Sequence, residues 1–336
     1  MLTFLKVLGV VFLMLLVAAG IGINATIGWR PILGPRVRAL TDRKFEVTRA
    51  RLTRGAYLAE HVAGCIDCHS PSANGPNGPE NNAEKKGAGQ IFPVEGMPGT
   101  VVASNLTPDK ETGAGTWSDD QLARGIREGI GHDGRALFPV MPYPHFRHMS
   151  DEDLASVVVY LRALPAIRNS LPATKIISPV KYFIRSVPEP VTEAVQADVS
   201  SPVKRGKYLV DMAACGDCHT PMKRGRPVAG MEFAGGQVSA GPWGKIASSN
   251  ITPDASGMGN YTQAAFFRLM RTGYVDTRQI NTLMPWQSFG GQTQEDLEAE
   301  FAFLKTLAPV RHNVDNGKGP TLCKKCGLVH GAGEMN

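Results

Sequence analysis

The chain begins with a long apolar segment that carries no charged side chain between residues 7 and 23. Continued to Trp29, the segment is about 23 residues long, which is enough for a helix to cross a bilayer. Trp29 would then lie at the membrane interface, where tryptophan is enriched. A cleaved signal peptide is the alternative, but the apolar run exceeds a usual signal-peptide core. We therefore expect residues 1–29 to form a transmembrane anchor.

Residues 54–165, named the first unit, show apolar positions at helical spacing in three places. The first predicted helix starts at Arg54-Gly55 and has Leu58, Val62 and Cys65 on its apolar face. The second starts at Ser118 with Gln121 and has Leu122, Ile126 and Ile130 on that face. The third starts at Ser150 with Asp153, and its apolar positions are Leu154, Val157, Val158, Leu161 and Leu164. Ser118 and Gln121 form a predicted capping box, and Pro165 is expected to end the third helix. A loop rich in Gly, Pro and Asn is expected to follow residue 69 as far as about residue 90.

The same pattern returns in residues 205–309, named the second unit. The matched blocks are 54–58 with 205–209, 104–109 with 249–254, 124–129 with 268–273, and 141–142 with 284–285. Thr293 and Asp296 are expected to cap the last helix of this copy. Residues 166–204 contain five prolines and no clear period, so we expect an extended linker packed along both units. Residues 310–336 remain as a polar tail.

Each unit contains one C-x-x-C-H motif, and the six motif residues are Cys65, Cys68 and His69, and Cys215, Cys218 and His219. Positions i, i+3 and i+4 of a helix share one face, so two thiols and one imidazole point the same way. This pattern is typical of covalent c-type haem attachment. Zinc or disulfide bonding are the alternatives, and two matches inside a repeat favour haem. We expect two covalently bound haem c groups, with His69 and His219 as iron ligands.

The repeat also singles out one methionine in each unit as the second iron ligand. Met141 and Met284 occupy equivalent positions, each before a proline, whereas Met149 falls opposite Gln292. Ligation by Met and His is typical of electron-transferring haem proteins, and an open distal position would instead suggest substrate chemistry. We therefore expect Met141 and Met284 to be the distal ligands.

Four further polar side chains are candidates for contact with a haem. Arg127 and Arg271 match in the repeat and lie on predicted helices, and arginine forms paired hydrogen bonds to carboxylates such as haem propionates. A solvated helix face explains these two arginines nearly as well. His145 and His148 are rival iron ligands in the first unit, but the second unit has no histidine at either position. Surface or propionate roles are therefore favoured for both histidines.

Charge is concentrated in one segment of the chain. Eight basic and two acidic side chains lie between residues 28 and 54, and together they equal the formal net charge of +6. The rest of the chain is neutral overall, so nucleic-acid binding has no support. We expect the basic juxtamembrane segment, residues 30–53, to contact anionic lipid headgroups. A docking site for an acidic partner is the alternative.

The polar tail contains a second kind of cysteine pair, Cys323 and Cys326, without an adjacent histidine. The nearest downstream histidine is His330, and the tail is too short for a third haem domain. A disulfide is the plain interpretation in an oxidising compartment. A metal site shared with another subunit and a third haem are the alternatives.

These motifs resemble those of the multihaem cytochrome c subunits of membrane-bound alcohol, gluconate and related dehydrogenases. The resemblance rests on Arg205-Gly206-x-Tyr208-Leu209, Cys215 to His219, Phe233-Ala234-Gly235-Gly236, Asn250 to Asp254 and Met284-Pro285, and in the first unit on Asn105 to Asp109 and Met141-Pro142-Tyr143. It covers roughly residues 54–309. It implies an all-α fold of two tandem class I cytochrome c domains, which here follow one transmembrane helix. In that family the subunit takes electrons from a catalytic subunit and delivers them to quinone or another carrier.

The sequence therefore predicts a membrane-anchored dihaem cytochrome c that moves single electrons and is not an enzyme by itself. Its expected donor is a periplasmic dehydrogenase or respiratory complex subunit, and its acceptor is in the membrane or soluble. Haem attachment takes place outside the cytoplasm, which predicts haem units on the periplasmic side of the inner membrane. A dihaem peroxidase with one open haem is the alternative function, and a haem-based gas sensor is a third. Two matched methionine ligands argue against the peroxidase.

Overall fold

The computed structural model describes residues 2–73, 82–92, 96–241 and 243–336. Most of its packed elements are helices, in chain order α1 (Leu2–Thr26), α2 (Arg30–Leu33), α3 (Arg49–Tyr57), α4 (Cys65–His69), α5 (Asp119–Glu128), α6 (Tyr143–Phe146), α7 (Asp151–Ala163), α8 (Val180–Phe183), α9 (Pro202–Met212), α10 (Cys215–His219), α11 (Gln263–Thr272), α12 (Trp286–Phe289) and α13 (Gln294–Leu304). A π-helical turn, Leu58–Val62, continues α3, and 3-10 turns cover Ala83–Lys85, Ala114–Thr116 and Gly333–Met335. Residues 74–81 of the loop predicted after residue 69 lie outside the described ranges.

Short strands pair in antiparallel ladders within the loops. Among the described residues the pairs are β1 (Gln90–Ile91) with β3 (Val102–Ala103), β2 (Gly99–Thr100) with β4 (Lys175–Ile176), β5 (Met222–Lys223) with β6 (Arg226–Pro227), β7 (Val238–Gly241) with β8 (Gly244–Ala247), β9 (Tyr274–Val275) with β10 (Arg278–Gln279), and β11 (Pro320–Leu322) with β12 (Val329–Gly331). Strands this short leave no alternating pattern to find in a sequence. The helical prediction holds for the elements that form the core.

In each unit the first and last helices cross at a glycine. A Cβ atom added to Gly55 on α3 would lie 1.9 Å from the Ser156 carbonyl oxygen on α7. A Cβ atom added to Gly206 on α9 would lie 1.8 Å from the Ala299 carbonyl oxygen on α13. Only glycine, which has no side chain, lets the two backbones approach this closely. The crossings fix how each helix pair presents its apolar face to the core.

Each unit has its own apolar core, and the two cores share a boundary. The first is built on Leu58, Val62, Leu122, Phe146, Leu154 and Val158, and the second on Val210, Phe266, Met270, Phe289, Leu297 and Leu304. Leu209 and Met212 of α9 belong to the first core although they lie in the second unit. The units are therefore packed against each other rather than strung apart on a free linker.

A reciprocal pair of hydrogen bonds joins the two units. The Tyr208 hydroxyl of the second unit donates to Asp153 Oδ2 of the first unit at 2.7 Å. The Tyr57 hydroxyl of the first unit donates to Asp296 Oδ2 of the second unit. The same two carboxylates pair with Arg54 and Arg205 of their own units at 2.8 and 2.6 Å. The contact therefore has the approximate two-fold symmetry that the sequence repeat permits.

The helix starts predicted from capping residues are confirmed in three cases and wrong in one. Ser118, Ser150 and Thr293 each cap a helix, and Ser118 forms the full capping box with Gln121. The first helix starts at Arg49 rather than Arg54, because the Thr48 side chain caps it by accepting from the Arg51 amide. The stripe on α5 also stops before Ile130, since Gly129 ends the helix in the left-handed conformation at φ 65°.

Hydrogen bonds extend the repeat past the end predicted for each unit. Asn105 Nδ2 donates to the Ile167 carbonyl and Asn250 Nδ2 donates to the Val310 carbonyl, both at 2.8 Å. Two residues further on, Asn169 Nδ2 donates to the Ala88 carbonyl. The linker is thus tied to the first unit along its length, and β4 pairs with β2 of that unit.

The N-terminal helix meets the length and composition of a membrane span. Residues Phe4–Thr26 have a mean hydropathy of 2.6, and none of this stretch is buried. A signal sequence meets the same two conditions. The described structure thus contains one apolar N-terminal helix suited to either role.

The basic segment that follows packs partly on the first unit. Arg38 lies 2.7 Å from both Asp120 and Glu128, and Arg51 lies 2.8 Å from Glu152. Burial alone would raise the pKa of Asp120, but hydrogen bonds from Arg38 and the Thr41 amide lower it to about 2. These arginines are neutralised within the chain, so the expectation of lipid contact applies only to exposed members of the segment such as Arg43, Lys44 and Arg49.

We expect Gly55→Ala to lower the free energy of unfolding by roughly 2–3 kcal/mol, because its Cβ would overlap the Ser156 carbonyl. Gly125→Ala on α5 is the matched control, since its Cβ would lie 3.7 Å from the nearest atom. That substitution should leave the stability unchanged or raise it slightly. Denaturant midpoints measured by circular dichroism test the pair, and equal midpoints would contradict the close helix crossing.

Candidate functional site

The two C-x-x-C-H motifs form short helices with matching geometry. Helices α4 and α10 each contain the five motif residues and follow a residue in the left-handed conformation. That residue is Gly64 at φ 60° in the first unit and Ala214 at φ 51° in the second. The sharp turn ends the preceding helix and starts the motif helix, so both thiols and the imidazole project from one face.

Each motif histidine is held by a backbone carbonyl. His69 Nδ1 lies 2.7 Å from the Ser104 carbonyl oxygen, and His219 Nδ1 lies 2.7 Å from the Ser249 carbonyl oxygen. Burial lowers the pKa of both imidazoles, which favours the neutral form. A neutral imidazole whose Nδ1–H is bound presents Nε2 to a metal, as in most histidine metal sites.

Three of the motif thiols are partly buried, and Cys218 is exposed. Burial raises the pKa of Cys65 and of Cys68 to about 12, and it raises the pKa of Cys215 and Cys218 as well. Redox-active C-x-x-C pairs need the opposite, a thiol of lowered pKa. Cys65 and Cys215 instead pack against the apolar core of their own unit. Two thiols and one imidazole on one helix, with the first thiol against apolar side chains, fit an apolar macrocycle that is bonded through thioethers to the chain.

The two methionines selected by the repeat lie in matching loops. The amide of Met141 donates to the Phe138 carbonyl and the amide of Met284 to the Asn281 carbonyl, both at 3.1 Å. Met141 packs against the core that contains Cys65, and Met284 against the core that contains Cys215. Each loop leads into a short helix, α6 or α12. Their role as iron ligands stays a prediction.

The two arginines predicted near the haems contact the protein itself. The Arg127 guanidinium is buried and donates to Asp151 at 2.6 Å and to the Met149 carbonyl. Arg271 donates to the Gly290 carbonyl. Both arginines thereby link α5 or α11 to the loop before the last helix of their unit. Contact with a propionate stays a prediction for both.

Contacts between the units converge on the motif helices. His145 on α6 donates through Nδ1 to Asp211 at 2.7 Å and through Nε2 to Asp217 of the second motif at 2.8 Å. In return, Ser288 Oγ on α12 donates to Asp67 of the first motif at 2.6 Å. Each motif therefore touches the short helix that follows the methionine of the other unit. The methionine and this short helix are together named the methionine loop. Sequence reasoning placed His145 at the surface and missed this role, because nothing in a single chain position indicates a partner 66 residues away.

The His145 contact is an ion pair at neutral pH. The hydrogen bonds to Asp211 and then Asp217 raise the pKa of His145 to about 10. An imidazolium that uses both ring nitrogens as donors has no nitrogen left for an iron. His145 therefore connects the two units. His148 lies one turn further along the chain, after α6.

A buried acid in the second unit occupies a position that is apolar in the first unit. Burial raises the pKa of Glu300 on α13 to about 8, and its charge acts on Cys215. The position is occupied by Val157 in the first unit, and its neighbour Gln292 replaces Met149. Both polar side chains are almost fully buried. Sequence reasoning missed this pair, although the repeat alignment carries the signal.

The polar tail does not form the predicted disulfide. Cys323 and Cys326 are both free and buried. Each sulfur faces a histidine nitrogen instead, His312 for Cys323 and His330 for Cys326. The sequence pointed only to His330 as a partner of this cysteine pair. His312 was not connected with the pair, because it lies just after the last helix of the second unit.

Comparison with known proteins identifies the class to which the first unit belongs. Residues 52–165 match the sequence profile of the family described as "Cytochrome c". The chain therefore contains a cytochrome c domain, a class that holds haem c covalently. This agrees with the motif helix and the histidine geometry of the first unit.

Whole-chain relatives confirm the predicted resemblance. The chain is 27% identical to the cytochrome c subunit of a quinone alcohol dehydrogenase from Gluconobacter oxydans, over 86% of this chain and 62% of the relative. It is 29% identical to the gluconate 2-dehydrogenase cytochrome c subunit of Pantoea cypripedii, over 77% and 60%. It is 27% identical to a "Diheme cytochrome c-type" protein of Cereibacter sphaeroides, over 61% and 69%. The chain spans about three fifths of the length of the two dehydrogenase subunits.

We expect the stability of the wild-type protein to fall as pH rises from about 4.5 to about 8, relative to Glu300→Gln. The folded-state pKa of Glu300 is raised, so its contribution is full below the unfolded pKa and is lost as pH rises through the folded pKa. The largest slope is about 1.4 kcal/mol per pH unit. Denaturant midpoints at several pH values test this.

Glu298→Gln is the matched control for that measurement, because Glu298 lies on the same helix and is partly exposed. It should keep the wild-type pH profile. If the denaturant midpoints of the wild type and of Glu300→Gln changed with pH in parallel, Glu300 would not be a buried acid with a raised pKa.

Proposed function

We propose that this chain is a membrane-anchored dihaem c-type cytochrome that carries single electrons between an extracytoplasmic donor and an acceptor in the membrane or in solution. The observation that carries the proposal is the paired geometry of α4 and α10. Each motif helix carries two thiols and a neutral imidazole, its first thiol packs against an apolar core, and each helix touches the methionine loop of the other unit. The second unit is taken as a second class I cytochrome c domain.

The residues divide into two matching sets. Cys65 and Cys68 would attach the first haem, with His69 and Met141 as iron ligands. The second set is Cys215, Cys218, His219 and Met284. When bound, each haem supplies a one-electron ferric–ferrous couple. The protein contributes fixed ligands and a water-poor surrounding, which keep the change of geometry between the two oxidation states small.

The Nδ1 contacts to Ser104 and Ser249 orient the two imidazoles. A histidine that donates its second N–H to a carbonyl keeps one tautomer and one ring orientation. A methionine as second ligand closes the iron to other molecules and raises the potential. This arrangement suits electron transfer rather than peroxide chemistry, which needs an open position.

The contact between the units supports electron exchange within one chain. The Asp217–His145 and Asp67–Ser288 bonds hold each attachment helix against the opposite methionine loop. Two haems attached at these helices would lie on either side of a shared, well-packed boundary. The docked units would thus hold two haem groups in one fixed arrangement, which would allow the donor and the acceptor to bind at different faces.

The relatives suggest the setting of this activity. Two of them are named as cytochrome c subunits of a quinone alcohol dehydrogenase and a gluconate 2-dehydrogenase. We take this chain to be the corresponding subunit of a membrane-bound oxidoreductase complex, not a catalyst by itself. Helix α1 would anchor it in the inner membrane with both haem units outside the cytoplasm, because covalent haem attachment takes place there. The anchor confines the search for partners to the membrane surface.

We expect Met141→Ala and Met284→Ala each to open one iron. The ferrous wild-type protein should bind no carbon monoxide, and each variant should bind one equivalent per chain, because the distal ligand is lost. Carbon monoxide difference spectra measure this. Met149→Leu and Met270→Leu are matched controls, since both methionines are buried in the cores and neither lies in a methionine loop. Unchanged binding in both alanine variants would contradict the ligand assignment.

We expect the protein purified gently from native membranes to carry two haems per chain and to be accompanied by a dehydrogenase subunit. Addition of that enzyme's substrate should reduce both haems without an added mediator, because electrons pass directly between subunits. Absorbance during anaerobic titration measures the reduction. A protein with one carbon monoxide-reactive haem that is oxidised by peroxide at turnover rates would contradict the proposal.

A further inference from the structure

The polar tail and the end of the second unit bring four metal-binding side chains together. The ligand atoms of His312, Cys323, Cys326 and His330 all lie within 4.8 Å of one another, and all four residues are buried. The cysteines flank the turn between β11 and β12, and His330 lies on β12. His312 comes from the segment that follows the last helix of the second unit. These four residues are separate from both C-x-x-C-H motifs.

The distances in this cluster match a single tetrahedral ion. Cys323 Sγ lies 3.4 Å from His312 Nε2, and Cys326 Sγ lies 3.4 Å from His330 Nε2. Zinc bonds of about 2.3 Å to sulfur and about 2.0–2.1 Å to nitrogen place neighbouring ligands about 3.5 Å apart in a tetrahedron. A two-iron cluster with these ligands binds both histidines on one iron and both cysteines on the other. In this cluster each close pair joins one cysteine sulfur to one histidine nitrogen, which favours a single ion.

The surrounding bonds orient the ligands as metal sites require. His312 Nδ1 lies 2.8 Å from the Ala234 carbonyl, and His330 Nδ1 lies 3.0 Å from the Gly331 carbonyl. Both imidazoles therefore present Nε2 to the thiols. The Cys326 amide donates to Cys323 Sγ at 3.4 Å, which stabilises negative charge on that sulfur. Gly327, at φ 73°, lets the chain turn sharply after the second cysteine.

The first unit provides an internal comparison for His312. Its counterpart is Asn169, whose Nδ2 donates to the Ala88 carbonyl at 2.8 Å, as His312 Nδ1 donates to Ala234. The backbone amides of both residues also donate to side-chain hydroxyls, that of Asn169 to Thr112 and that of His312 to Ser256. An asparagine is therefore sufficient for the structural bond. The histidine adds one function that asparagine cannot supply, which is a second ring nitrogen aimed at a thiol.

We infer that His312, Cys323, Cys326 and His330 bind one structural zinc ion, which fastens the C-terminal tail to the second unit. All four positions are protein ligands, so the ion has no open site for a substrate. Two thiolates balance the charge of Zn²⁺, and a neutral, fully coordinated ion can be buried without an unpaired charge. Binding displaces the two thiol protons to solvent and involves no change of oxidation state.

The zinc site would also support the second haem-binding histidine. His312 binds the Ala234 carbonyl, and the next residue, Gly235, donates its amide to the His219 carbonyl at 2.7 Å. Only the short segment 234–235 therefore separates the cluster from a predicted iron ligand. Loss of the ion would free the tail, and it would loosen the segment that holds the backbone of His219.

Metal analysis of the purified full-length protein tests the site directly. We expect about one zinc per chain after dialysis against EDTA, and release of that zinc when a mercurial reagent blocks the thiols. Absorption fine structure at the zinc edge should fit two sulfur ligands at about 2.3 Å and two nitrogen ligands at about 2.0 Å. Zinc below one tenth per chain, a Cys323–Cys326 disulfide found by mass spectrometry, or zinc bound only by nitrogen and oxygen would overturn the proposal.

Two variants separate metal binding from folding. His312→Asn restores the residue found in the first unit, so it should keep the bond to the Ala234 carbonyl and the spectrum of the first haem while lowering the zinc content roughly ten-fold or more. Cys326→Ser should lower it equally. Lys324→Ala is the matched control, because Lys324 lies in the same turn and is exposed, and its zinc content should be unchanged. Full zinc content in His312→Asn and Cys326→Ser would overturn the assignment.

Discussion

Two carboxylates, Asp153 and Asp296, organise the relation between the two units. Each lies near the start of the last helix of its unit, pairs with an arginine of the first helix, and accepts a tyrosine hydroxyl from the opposite unit. The side chain of Asp296 is almost fully buried, and a buried charge is costly unless its hydrogen-bonding capacity is filled. The tyrosine of the other unit fills that capacity, so the carboxylates favour docked units over separated ones.

The symmetry of this contact determines where the candidate haem sites lie. Because Tyr57 and Tyr208 exchange partners, the contacts of the two motif helices across the boundary also occur as a matching pair. Asp67 meets the loop after Met284, and Asp217 meets the loop after Met141. The motif helix of one unit therefore lies next to the methionine loop of the other unit. A duplicated domain that docked through any other surface would leave its two motifs unrelated in space.

Local chemistry could be predicted from the sequence, whereas contacts between units could not. The C-x-x-C-H helices and the caps at Ser118, Ser150 and Thr293 follow from residues within five positions of one another. Thr48 was missed because its cap lies before the repeat begins, and Arg38 because its partner Asp120 is 82 residues away. The tyrosine–aspartate exchange needs two units already folded. His312 was missed because the repeat extends beyond its last matched helix, through Asn169 in one copy and His312 in the other.

The differences between the copies matter as much as the likeness. The first unit fills two positions beside its last helix with Met149 and Val157, and the second fills them with Gln292 and Glu300. A carboxylate near Cys215 is neutral below about pH 8 and charged above it. If a haem is attached at Cys215, a negative charge on Glu300 would favour its ferric state, so its potential would depend on pH. The metal-ligand cluster lies on this same unit, next to the backbone that holds His219. The second copy thus carries a titratable group at a position where the first copy has Val157, and the proposed zinc ion would add a support next to His219. On the proposed function, this difference would allow the potential of the second haem to be set separately from that of the first.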